Sequence, residues 1–74
     1  MPVARISGFG GDPRSGLAYV YFEDEWPVLV ESGYGLRAFA QAFGSLQASV
    51  GRVIEYSVDW LGIMEGFTPI EETA

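Results

Sequence analysis

SGYGLRAFAQAFGSLQASVGRVI, residues 32–54, holds two arginines and no carboxylate, although the chain around it is strongly acidic. Residues 1–31 carry five acids and two arginines, and residues 55–74 carry five acids and no base. At 100° per residue, Leu36, Phe39, Ala40, Phe43, Leu46 and Val50 fall within an arc of about 120°. Gln47 is the one polar residue inside that arc, and Arg37, Gln41, Gly44, Ser45, Ala48 and Ser49 take the opposite side. The spacing predicts one amphipathic helix from about Tyr34 to Val50, with Ser32 as N-cap and Gly51 as its stop. Gly44 costs such a helix about 1 kcal/mol relative to alanine and marks the place where it would break.

On either side of this helix the pattern is β. Upstream, Val3, Arg5, Ser7 and Phe9 alternate with Ala4, Ile6 and Gly8, a strand signal, and Gly10–Gly16 is dense in turn formers and reads as a loop. Leu17–Phe22 is β-branched and aromatic, the best strand in the chain. Glu23-Asp24-Glu25 makes an acidic turn, and Trp26–Glu31 returns as a hairpin partner with Pro27 confined to a strand start or a sheet edge. Downstream, Ile54, Tyr56, Val58 and Trp60 alternate with Glu55, Ser57 and Asp59, a half-buried strand with an acidic outer face. Residues 61–67 read either as a short last strand or as a packed tail. The expected architecture is one α+β domain spanning residues 1–74, with 71–74 as a frayed tail. An antiparallel sheet of about four strands, in the order β-β-β-α-β, carries one amphipathic helix across it.

Composition limits what such a domain can do. With 74 residues and no cysteine, stability must come from the core, and a hydrophobic fraction of 49% is enough to build one. A net charge of −6 disfavours nucleic acid and anionic membranes and favours basic partners. No apolar run approaches a bilayer span, so the expectation is a soluble, cytoplasmic protein. Histidine and cysteine are absent and all four basic residues are arginines, which removes the usual general base, the thiolate nucleophile and the Schiff-base amine. No catalytic residue is assigned and an enzyme is not expected.

Three groups of residues remain as candidate sites. Gly33-Tyr34-Gly35-Leu36-Arg37-Ala38 follows an apolar run, opens the helix and precedes Glu55 by a ribose-holding distance, the pattern of a dinucleotide fingerprint. Too few residues follow Glu55 for further βαβ units, so Gly33 and Gly35 are better read as shaping a tight entry into the helix, and no cofactor is expected. The carboxylates Asp12, Glu23, Asp24 and Glu25, and the pair Glu55 and Asp59, match no metal-loop spacing, so no metal site is assigned. The third group is a surface. Tyr19 and Tyr21 lie opposite Val20 and Phe22 on their strand, and with Trp26 they make an aromatic face suited to anchoring a partner. On the helix, Arg37, Gln41, Gly44, Ser45 and Ala48 form an outer face small and neutral enough for another backbone to approach.

The leading expectation is therefore a non-enzymatic protein-interaction module, docking through the neutral helix face and exposed aromatics. By analogy it would serve as an inhibitor or accessory factor of the kind carried by phages and mobile elements. The alternatives are an acidic mimic of nucleic acid occupying a basic groove, a structural or self-assembling virion-type protein, and nucleotide binding at residues 33–38. The expected partner is another protein with a basic surface, with homo-oligomerisation open and direct contact with nucleic acid or membrane not expected.

Overall fold

The structure, a computed structural model, describes residues 2–72. Strands β1 (Val3–Asp12), β2 (Leu17–Phe22) and β3 (Glu25–Glu31) form an antiparallel meander. Helices α1 (Tyr34–Phe43) and α2 (Leu46–Ser49) follow, and strands β4 (Val53–Val58) and β5 (Met64–Ile70) complete the sheet. The strand order is β3-β2-β1-β4-β5. The helical connection returns the chain to the far side of β1, which makes the first four strands a Greek key.

The α+β class is as expected, but the sheet has five strands rather than four. Residues 61–70, open between strand and tail, contain β5, which pairs with β4 from Val53↔Ile70 to Val58↔Met64. Gly66 and Pro69 dilute its alternation, which is why the pattern was weak.

β1 is longer than the sequence pattern implied. Gly10 and Gly11, expected in a loop, pair with Tyr19 and Ala18, so the strand runs to Asp12. A bulge between Ile6 and Gly8 inserts one residue and reverses the side to which the strand points. Ala4 and Ile6 face the core before it, and Phe9 faces the core after it. The N-terminal half of β1 pairs with β4 and the C-terminal half with β2, so one strand serves both halves of the sheet. The sheet curls until its edge strands touch in a single parallel bridge, Leu29↔Ile63. The result is a five-stranded barrel closed at one point.

The core comprises Ala4, Ile6, Ala18, Val20, Phe22, Val30, Phe39, Ile54 and Tyr56. Phe39 enters it from α1, edge-on to Phe9 at 5.3 Å and stacked on Phe67 at 4.1 Å. At the other side Phe22 and Tyr56 stack at 5.0 Å. Inward alternation on β4 ends at Tyr56. Val58 is exposed, and Asp59 and Trp60 have left the strand.

The expected single helix is two. Gly44 adopts φ 97°, a left-handed conformation that halts α1, and Ser45 turns the chain by accepting the backbone N–H of Ala48 through its hydroxyl at 3.0 Å. Gly33, not Ser32, stands at the N-cap of α1 and makes no side-chain cap. Because the axis changes at Gly44, the predicted arc fails for Ser49 and Val50 beyond it, although Leu46 still packs on the core. Ser49 is fully buried, with its hydroxyl donating to the Leu46 carbonyl, while Val50 is exposed.

The C-terminal segment is tied down at Glu72. Arg5 donates from both terminal nitrogens to its carboxylate at 2.8 Å and from Nη1 to the Gly51 carbonyl at 2.6 Å. This bidentate pair holds the Glu72 carboxyl below its usual range, and it raises Arg5 in turn. Thr73 and Ala74, the rest of the expected frayed tail, lie outside the described residues.

Candidate functional site

Two surfaces emerge, and the expected site residues divide between them and a third location. The first is the outer face of β2 and β3. Alternation puts Ala18, Val20 and Phe22 inside and leaves Tyr19 and Tyr21 outside, 42% and 39% exposed. Their rings stack at 6.1 Å with planes 23° apart. Tyr21 lies flat across β1 because residue 10 is glycine, where a Cβ would stand 2.6 Å from the tyrosine ring. On β3 the register slips between Val28 and Glu25, which sets Trp26 and Pro27 together opposite Tyr21. Trp26 is 86% exposed. Tyr19, Tyr21 and Trp26, grouped on sequence grounds alone, thus fall on one pair of neighbouring strands.

The β4–β5 turn adds an element that sequence reasoning missed. Asp59, expected to be a solvated strand-face charge beside Glu55, instead organises the turn. Its Oδ1 accepts the N–H groups of Leu61 at 2.9 Å and Ile63 at 3.0 Å. Its own backbone N–H donates to the Ile63 carbonyl at 2.8 Å, and its carbonyl accepts the Gly62 N–H at 3.0 Å. These four bonds fix a tight turn that presents Trp60, 90% exposed, and Leu61 to solvent. The Leu29↔Ile63 bridge seats that turn against the middle of β3. The signal in the sequence was Asp-Trp-Leu-Gly, a turn former followed by two large apolar residues and a glycine. It was masked by the apparent continuation of the Ile54-Tyr56-Val58 alternation.

The second surface is a groove of about 520 Å³ where β3 and β5 diverge beyond their single bridge. α1 supplies Tyr34, Arg37 and Gln41, the end of β3 supplies Val30 and Glu31, and β5 supplies residues 64–67. The Arg37 guanidinium stands 5.9 Å from the centre of the Tyr34 ring. Among the described residues, Arg37, Glu31 and Glu65 take part in no ion pair.

Gly44, Ser45 and Ala48 lie at the junction of α1 and α2, exposed but not on a continuous helix face. Gly44 is there to reverse the chain and Ser45 to cap α2. Local backbone needs thereby explain the small residues at positions 44 and 45.

The dinucleotide pattern also resolves into packing. Gly35 sits in the first turn of α1, where a Cβ would come within 3.0 Å of the Val30 side chain. Glu55 is on β4, between Val3 and Thr68, and does not line the groove that Gly35 borders. The strand entering the motif is antiparallel, without the parallel crossover that places a pyrophosphate at the helix end. Among the described residues no three of His, Cys, Asp or Glu gather as a metal-holding group, and no helix is long and apolar enough to cross a membrane. The Asp12 side chain lies outside the described part of the structure. No family model, curated protein or solved structure matches this chain.

Proposed function

We propose that the protein is a non-enzymatic interaction module that docks onto a basic protein partner through the aromatic face of β2–β3 and the β4–β5 turn. One observation carries this reading. Both tryptophans of the chain stand almost fully in water, while much smaller apolar residues are buried. A tryptophan can remove roughly 200 Å² from water on docking, about 5 kcal/mol gross at 25 cal/mol per Å² before association costs. Trp60 is carried on a turn already held by Asp59, so little ordering is needed when it binds.

Architecture supports the same face by analogy alone. Five-stranded Greek-key barrels that bind oligonucleotides and oligosaccharides use the strand 2–strand 3 face and the loops beside it. A net charge of −6 turns such a face away from nucleic acid and towards a basic protein. As a module of this kind it would act in the cytoplasm as an inhibitor or accessory factor.

Affinity capture from a lysate of the source organism tests the proposal, using the wild-type chain beside the Trp26→Ala/Trp60→Ala double variant. Proteins with basic surfaces should be retained by the first and lost from the second. Equal retention by both would refute it. Retention that collapses with salt yet ignores the tryptophans would favour charge mimicry of nucleic acid instead.

A further inference from the structure

β3 and β5 touch at Leu29↔Ile63 in parallel, and Glu31 and Glu65 each lie two residues beyond that contact. Both line the groove, one on each strand. β3 ends at Glu31 and β5 is bulged at Glu65, so pairing does not continue and the seam stays open as the groove. Among the described residues, β5 is an edge strand with no strand neighbour on its outer side beyond Ile63. Pro69 cannot donate from that edge and β5 is irregular at Glu65, so its accessible length is short, residues 66–68. A Cβ added at Gly66 would meet nothing within 4 Å, so another chain can approach its backbone closely.

We infer that this seam is a peptide-binding groove, distinct from the aromatic face and able to fail or hold independently of it. Its ligand is a short extended segment with a central lysine or arginine. The segment's backbone adds to β5 beside α1, as strand-addition domains bind their peptides. The charged lining is Glu31, Glu65 and Arg37, one negative charge in excess, which the ligand's basic side chain neutralises beside the two carboxylates, and an adjoining apolar residue rests on Met64 and Phe67. The volume suits a few residues of extended chain.

The test is an amide-resolved NMR titration of the full-length chain with two capped hexapeptide libraries, one with a fixed central lysine and one with a fixed central glutamate. The lysine library should shift the amides of residues 31 and 65–68 saturably and bind about tenfold or more tighter than the glutamate library. Glu31→Gln/Glu65→Gln should abolish that preference, and Trp26→Ala/Trp60→Ala should leave it unchanged. Equal binding of both libraries, or shifts confined to Tyr19, Tyr21 and Trp26, would overturn the inference. So would an absence of shifts at residues 65–68.

Discussion

Two aromatic populations share this small domain, and they are built differently. The inner set, Phe9, Phe39, Phe43 and Phe67 with the Phe22–Tyr56 stack, closes the space between helix and sheet. The outer set, Tyr19, Tyr21, Trp26 and Trp60, is exposed, with Tyr19 and Tyr21 stacked on each other. All five phenylalanines are buried or half-buried, while both tryptophans and two of the tyrosines, Tyr19 and Tyr21, are exposed in this set. Phenylalanine has only packing to offer, whereas tyrosine and tryptophan can also meet a wet, polar partner. The difference teaches that the 15% aromatic content is not one core but a core and a surface.

The sharpest way to break the comparison is at Phe39, which is buried and contacts Phe9 and Phe67. Phe39→Ala should cost about 3–5 kcal/mol in urea unfolding, enough to unfold much of the population. Asp59→Ala comes next. Freeing the N–H groups of Leu61 and Ile63 should cost about 1–2 kcal/mol and loosen Trp60, seen as faster depolarisation of its fluorescence. That variant would show that Trp60 is held by polar bonds where the inner set is held by packing.

Tyr56 tests the boundary between the sets, since it is buried yet carries a phenol. Burial, with the charge of Glu25 adding to it, raises its ionisation above the ordinary tyrosine value, about 10. The folded state therefore prefers the neutral phenol. Its contribution is complete below the unfolded value, near pH 10, and is lost as pH rises through the raised folded value. Thermal melts between pH 9 and 11 should show a decline that Tyr56→Phe removes. The smallest effect belongs to the tryptophans. Trp26→Ala and Trp60→Ala should each change stability by no more than about 0.5 kcal/mol, although each deletes the largest side chain available. A loss above 2 kcal/mol at either would place that residue in the inner set and undo the distinction.

Much of this fold was legible in the sequence because alternation is a local property. The Tyr19/Tyr21 face and the β2–β3 hairpin follow directly from period-two patterning. What could not be read depends on events that interrupt a period. The bulge after Ile6 moves Phe9 to the core side, Gly44 breaks a convincing helical arc, and Asp59 ends a strand whose alternation continues in the sequence as far as Trp60. Each turns on backbone geometry at one residue, which a hydrophobic pattern does not encode. The site was legible to the same degree. The aromatic grouping emerged from strand parity, but the groove between β3 and β5 depends on two edges 34 positions apart that fail to zip.

The position of β1 has a consequence during synthesis. Its first neighbour, β2, follows at once, but β4 is made only after the helices, and the partner of Arg5 lies 67 positions further along the chain. At 5–20 residues per second, the meander waits roughly one to five seconds between completion of β3 and completion of β4. Throughout that interval the N-terminal half of β1 is a bare strand edge with Ala4 and Ile6 uncovered. A nascent chain of this protein is thus most prone to misassociate before its second half arrives, and slower translation of residues 32–58 should lower its soluble yield.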